Sequence, residues 1–349
     1  MKKVFDIANL IRPSVKALKP YSSARDEYVS DGSEMVFLDA NENPYPNGVN
    51  RYPDPYQRSL KEVLASIKGV PSKNMLLGNG SDEVLDLLFR AFCEPNVDNV
   101  VTLPPTYGMY KVLAGVNAVE NREVLLTNEF QPDIKGIFNV VDSKSKLLFL
   151  CSPNNPTGNA FGTILIKQLL DEFEGLVVID EAYIDFAETE SWLKTLDDYP
   201  NLVVTQTLSK AYGMAGIRLG ICYASEEIIT VLNRIKPPYN VNELTQKRAL
   251  QRLEKEEAIK KEVSQILEEK RLLMEILDTL PFVKKVYPSE ANFILAKVDD
   301  ANKRYQQLLE QKVVVRNRSN QPLCENTLRF TVGTQSENTM LISLLKQMA

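Results

Sequence analysis

Between about residue 74 and residue 223 the chain alternates short apolar runs with segments whose apolar residues recur at helical spacing. The short runs fall at 74–77, 99–103, 118–126, 146–152, 176–180, 201–207 and 218–223. Two of them, Leu147-Leu-Phe-Leu-Cys151 and Leu176-Val-Val-Ile179, are apolar throughout, as strands are when helices cover both of their faces. The alternation predicts an α/β fold with a mostly parallel central sheet. Ligands of such sheets collect beyond the carboxyl ends of the strands.

Outside that region the pattern changes. Residues 1–40 read as an N-terminal arm, interrupted by Pro13 and Pro20 and polar from Ala24 to Ser33. Pro237-Pro238 marks the end of a large domain, 41–238, and the start of a small α+β domain, 239–349. Within the latter, Ile259, Val263, Ile266, Leu267, Leu273 and Leu277 recur at helical spacing in the charged stretch 241–280. No clean heptad persists there, so the spacing predicts one long amphipathic helix rather than a coiled coil. Strands are expected at 282–287, 292–297, 312–316 and 327–332, with helices at 300–311 and 336–347.

Composition narrows the function. The 349 residues are 44% hydrophobic and 25% charged, an ordinary soluble balance, and no apolar run reaches membrane-span length. A net charge of −5 argues against nonspecific binding of nucleic acid. Met1-Lys-Lys-Val-Phe-Asp lacks the apolar segment of a secretory signal, and four cysteines without paired spacing read as core residues of a cytoplasmic protein. There is no histidine, which excludes Ser-His-Asp triads, Cys-His pairs and histidine-bound metals. Proton transfer then falls to lysine, tyrosine, carboxylate, water or a cofactor.

Five segments carry candidate chemistry. In Thr207-Leu-Ser-Lys-Ala-Tyr-Gly-Met-Ala-Gly-Ile-Arg-Leu-Gly220, Lys210 lies just past a buried strand, where burial favours the neutral, nucleophilic amine that condenses with aldehydes. Ser209, Gly216 and Arg218 add a hydroxyl, a flexible backbone and a permanent cation, as a phosphate-bearing cofactor such as pyridoxal phosphate requires. Leu77-Gly-Asn-Gly-Ser-Asp-Glu83 opens a helix whose first N–H groups attract phosphate, although Ser81 or Asp82 also reads as a simple cap. Cys151-Ser-Pro-Asn-Asn-Pro-Thr-Gly158 holds the Asn155 amide on rigid backbone, facing a phenolate oxygen of a cofactor ring. Leu176-Val-Val-Ile-Asp-Glu-Ala-Tyr183 ends an apolar strand on Asp180, a carboxylate that needs a cation such as a pyridinium or, in the rival reading, Mg²⁺. In Pro104-Pro-Thr-Tyr-Gly-Met-Tyr110, Tyr107 is placed either to stack on an aromatic ring or simply to pack. Arg316 and Arg329 border neighbouring strands, where a hairpin-like pairing makes a clamp for a dianion. Arg318 competes with Arg316 for that part, and exposed edge arginines without function remain the alternative.

Taken together the segments resemble the fold-type I, class II pyridoxal phosphate aminotransferases over nearly the whole chain. Within them, Pro20-Tyr-Ser-Ser-Ala-Arg25, Leu38-Asp-Ala-Asn-Glu-Asn43, Asn50-Arg-Tyr-Pro53, the 151–158 octet and Leu328-Arg-Phe-Thr-Val-Gly333 are most similar to the histidinol-phosphate aminotransferases. The resemblance implies Lys210 as the Schiff-base lysine, Asp180 under the pyridine nitrogen, Asn155 and Tyr183 at O3′, and Tyr107 stacked on the ring. It implies that the amides of Gly80, Ser81 and Asp82, with Ser209 and Arg218, hold the cofactor phosphate, joined by Tyr52 from the other subunit of a homodimer. It further implies that Arg329, with Arg316 and Tyr21, binds the phosphate of histidinol phosphate or the distal carboxylate of 2-oxoglutarate or glutamate, in histidine biosynthesis. An aromatic amino acid aminotransferase, a threonine-phosphate decarboxylase or a non-catalytic binding module on the same scaffold are the alternatives.

Overall fold

Two sheets account for the strands among the residues described by the computed structural model, 5–19 and 36–348. The larger holds β1 (Met75–Asn79), β2 (Asn99–Thr102), β3 (Glu120–Glu123), β4 (Ser145–Cys151), β5 (Leu176–Asp180), β6 (Leu202–Thr207) and β7 (Leu219–Ala224), in the order β1-β7-β6-β5-β4-β2-β3. From β3 to β6 all pairings are parallel, while β7 runs antiparallel to both β6 and β1.

Side chains alternate along these strands between two apolar cores, which is why the runs are apolar throughout. Leu148 and Leu150 of β4 join Val177 and Ile179 of β5 in one core, and Leu147, Phe149, Leu176 and Val178 join the other. Helices α2 (Arg58–Lys68), α5 (Ile134–Val140) and α6 (Thr163–Glu172) cover the first face through Leu60, Leu64, Ile137 and Ile166. Helices α3 (Ser81–Phe92), α4 (Met109–Val116) and α7 (Glu226–Ile235) cover the second through Leu85, Phe89, Tyr110 and Ile228. The described part of the N-terminal segment packs on the second face as well. Ile7, Leu10 and Val15 are buried there, Val15 from the short helix α1 (Pro13–Ala17), and the Arg12 N–H donates to Ala91 O at 3.0 Å.

The single helix expected over 241–280 is two: α8 (Glu243–Leu253) and α9 (Glu256–Thr279). Neither proline nor glycine breaks it. Lys255, at ψ 41°, leaves the helical region, so that Leu253 and Ile259 both reach the first core. Further along, α9 lays Leu273 and Leu277 on the smaller sheet and so joins the two cores. That sheet is antiparallel, in the order β10 (Arg316–Asn317), β11 (Thr327–Thr331), β9 (Phe293–Val298), β8 (Val283–Val286), with α10 (Ala301–Glu310) and α11 (Gln335–Gln347) beside it. The strand expected at 312–316 is thus shifted and short, because Lys312 takes a left-handed φ of 63° and delays the pairing until Arg316.

Candidate active site

The carboxyl ends of β4, β5 and β6 lie side by side, and a cavity of about 550 Å³ opens between them, the N-termini of α3 and α4, and the β10–β11 pair. Asp180 is the last residue of β5 and is 3% exposed. The Tyr110 hydroxyl donates to its Oδ2 at 2.7 Å and the Ala182 N–H to its Oδ1 at 3.2 Å. Burial raises the Asp180 pKa, and these two donors oppose the rise. No Lys or Arg pairs with this carboxylate among the described residues, so a buried acid at the floor of a cavity lacks a cation. Tyr110 is itself buried, its ring stacked on Phe149 at 4.8 Å and edge-on to Tyr107 at 5.5 Å. The Tyr107 hydroxyl donates in turn to Asp82 Oδ1 at 3.0 Å.

Lys210 sits on the loop from β6 to β7, exposed as a whole residue, with its Nζ 5.7 Å from the centre of the Tyr183 ring. Desolvation of the amine lowers its pKa, Arg329 and Arg218 push the same way, and Asp180 resists. On the same loop the Thr207 hydroxyl donates to Ser209 Oγ at 2.9 Å. Arg218, in a left-handed backbone at φ 56°, swings its guanidinium against Gly80 at the start of α3. Gly80 has φ +81°, and a Cβ there would lie 2.6 Å from Arg218 Nη2. The position admits glycine for both reasons.

On the far wall the Arg329 Nη1 donates to Asn155 Oδ1 at 2.5 Å, and Asn155 Nδ2 donates to the Tyr183 hydroxyl at 3.4 Å. Arg316 is the direct cross-strand partner of Arg329, and both line the cavity with Arg318. Burial lowers the pKa of Arg329, and burial pushes the Tyr183 phenol up.

Pyridoxal phosphate fits this arrangement. A protonated ring nitrogen is the cation Asp180 lacks, and the opening helix turn, Ser209 and Arg218 form a cradle for a phosphate that any side chain at Gly80 would crowd. The Lys210 amine borders the same cavity.

Of the residues singled out in the sequence, Ser81, Asp82, Tyr107, Asn155, Asp180, Tyr183, Ser209, Lys210, Arg218, Arg316 and Arg329 border this one cavity, and Gly80 adjoins it through Arg218. Tyr52 does not: its ring stacks on Tyr239 at 4.6 Å beside a separate surface hollow. Tyr21 lies outside the described residues. Sequence reasoning missed Tyr110 as the partner of Asp180, although its spacing of three from Tyr107 on a helix start was there to be read. It also missed Glu181, buried beneath Asp180, which accepts from Ser191, Trp192 and Gln206.

Known proteins share both the sequence and this architecture. The family described as aminotransferase class I and II matches residues 34–345. A histidinol-phosphate aminotransferase of Flavobacterium johnsoniae is 65% identical over 98% of both chains, and one of Christiangramia forsetii is 60% identical over 99% of both. The crystal structure of the histidinol-phosphate aminotransferase from Clostridium acetobutylicum superposes with a TM-score of 0.79 at 24% identity, covering 86% of this chain and 91% of that one. With a family match running through both sheets and every cavity-lining segment, the chain belongs to the class I and II aminotransferases.

Proposed function

We propose that the protein transfers an amino group between L-histidinol phosphate and 2-oxoglutarate, using pyridoxal phosphate, in histidine biosynthesis. The observation that carries the substrate reading is the Arg316–Arg329 cross-strand pair, which lines the same cavity as Lys210 with no carboxylate paired to either among the described residues, an arrangement suited to a dianion. The near relatives named above support it.

The roles assigned are these. Asp180 holds the ring nitrogen, Asn155 and Tyr183 the ring oxygen, and Tyr107 stacks on the ring. Gly80, Ser81, Asp82, Ser209 and Arg218 hold the cofactor phosphate. When bound, the cofactor supplies the electron sink and carries the amino group between half-reactions. Lys210, whose amine desolvation and the neighbouring Arg329 push toward the neutral form, takes the proton from the substrate Cα and later delivers it. The Tyr110 and Ala182 donors favour the ionised form of Asp180, the form that would hold a protonated ring nitrogen. Arg329, oriented by Asn155, and Arg316 grip the distal anion and so fix the Cα–H bond relative to Lys210.

A homodimer belongs to the proposal. Tyr52 faces away from the Lys210 cavity of its own chain, within a stretch that exposes Val36, Leu38 and Tyr45, an apolar surface suited to a second copy. In that arrangement Tyr52 of the partner subunit reaches the cofactor phosphate. The proposed organisation is an N-terminal arm, 1–40, a large cofactor-binding domain, 41–238, and a small domain, 239–349, and the cytoplasm is the proposed compartment, on the strength of four buried free thiols.

Steady-state assays with histidinol phosphate, phenylalanine and threonine phosphate as donors test the reading. Preference for histidinol phosphate is expected. Preference for phenylalanine would overturn the substrate, and release of carbon dioxide from threonine phosphate would overturn the reaction.

A further inference from the structure

Arg316 and Arg329 have a third guanidinium beside them. Arg318 follows Arg316 by two positions, the spacing that returns a side chain to the same face of an extended segment. Its backbone N–H donates to Thr327 O at 2.9 Å, which carries the pairing with β11 one step past β10. All three arginines line the Lys210 cavity, and none makes an ion pair among the described residues. Arg329 is steadied by neutral groups alone, the Asn155 amide and the Phe293 ring 5.0 Å from its guanidinium carbon. The Nε atoms of Arg318 and Arg329 are buried without a hydrogen-bond partner. Like charges set opposite each other across strands repel, and each buried donor left unmet costs about 1–3 kcal/mol. Burial, then Arg329, then Arg316 lower the Arg318 pKa to about 10, as befits a cation crowded by cations.

We propose that Arg318 is a specificity-determining residue that completes a three-guanidinium site for a phosphate monoester and favours it over a carboxylate at the same position. The proposal rests on the reading that Arg316 and Arg329 bind the distal anion of the substrate. In alternate half-reactions that site takes a phosphate and a carboxylate. A carboxylate brings one charge and two oxygens, which the planar fork of Arg329 and its neighbour Arg316 satisfy. A phosphate monoester brings nearly two charges and three outer oxygens, leaving acceptor capacity for Arg318. Removing Arg318 therefore penalises the phosphate far more than the carboxylate.

Calorimetry on the cofactor-loaded enzyme tests this with two unreactive probes, n-propyl phosphate and glutarate, so that the cofactor phosphate site is already filled. In Arg318→Gln, propyl phosphate binding should weaken by about 10-fold or more, equivalent to ~1.4 kcal/mol, while glutarate changes by less than about 3-fold. Arg318→Lys should recover part of the loss. Retained glutarate binding also shows that the variant is folded. Equal weakening toward both probes, or unchanged propyl phosphate binding, overturns the role of Arg318 alone. A wild-type enzyme that binds neither probe overturns the parent reading of the clamp, and this proposal with it.

Discussion

The hydroxyl of Tyr110 donates to Asp180 Oδ2 at 2.7 Å, and Tyr110 is held for that task between Phe149 and Tyr107. The bond favours the ionised carboxylate against a burial that disfavours it. In Tyr110→Phe the carboxylate loses this donor and keeps the Ala182 N–H, so its pKa rises further and it protonates at higher pH. Loss of one hydrogen bond to a charged group costs about 1.5–3 kcal/mol, so cofactor affinity should fall by roughly 10-fold or more, and the acidic limb of the kcat profile should move upward. An unchanged cofactor titration and pH profile would show that Tyr110 only fills space.

On the proposed roles, Lys210→Ala removes both the amine that would carry the cofactor and the base at the substrate Cα. Loss of the base alone lowers turnover by ~10²–10⁴-fold. Borohydride trapping of the wild-type protein followed by peptide mapping should mark position 210, and the variant should carry no mark. A mark on another lysine would move the assignment there.

Gly80→Ala puts a methyl group 2.6 Å from Arg218 Nη2 and forces a side chain onto φ +81°. The guanidinium must withdraw. Cofactor affinity, read by fluorescence titration, should drop by at least about 10-fold, and the cofactor-free protein should lose about 1–3 kcal/mol of stability, because φ 81° with ψ 167° is a backbone region essentially reserved for glycine. Stability loss with full affinity would place the phosphate elsewhere.

Glu181 tests the scaffold beneath the site. Burial raises its pKa to about 6, against three donors that oppose the shift. A carboxyl whose folded pKa is raised contributes stability that is complete below its unfolded pKa and is lost as pH rises through the folded one. Between pH ~4.5 and ~6 the wild type should therefore lose about 2 kcal/mol relative to Glu181→Gln. Urea unfolding of both proteins across that window measures the gap, and a constant gap would mean that Glu181 does not titrate there.

The large sheet was legible in the sequence because parallel strands covered on both faces leave unbroken apolar runs, as at Leu147 to Cys151. Its carboxyl-end residues were legible beside them: Asp180 ends an apolar run on a charge that burial makes costly, and Lys210 follows the next run within a distinctive loop. The break at Lys255 was not legible, since no proline or glycine marks it and the turn is set by which core each helix must reach. Tyr110 was hidden by its chemistry, because an aromatic on a helix face reads as packing until its hydroxyl is seen to meet a carboxylate. Arg318 was visible only as a competitor of Arg316. The structure sets Arg316 opposite Arg329 and bonds the Arg318 N–H to Thr327 O, so the two line one cavity as neighbours.

The reversed direction of β7 has a consequence of its own. Because that strand turns straight back along β6, Ser209, Lys210 and Arg218 are strung on a single short connection rather than separated by a crossover helix. The proposed amine and anion-holding groups are therefore inherited, inserted into or cut as one peptide. A protease nick anywhere between them would part the proposed covalent tether from its anchor, so that stretch is where occupancy by the cofactor should protect the chain most.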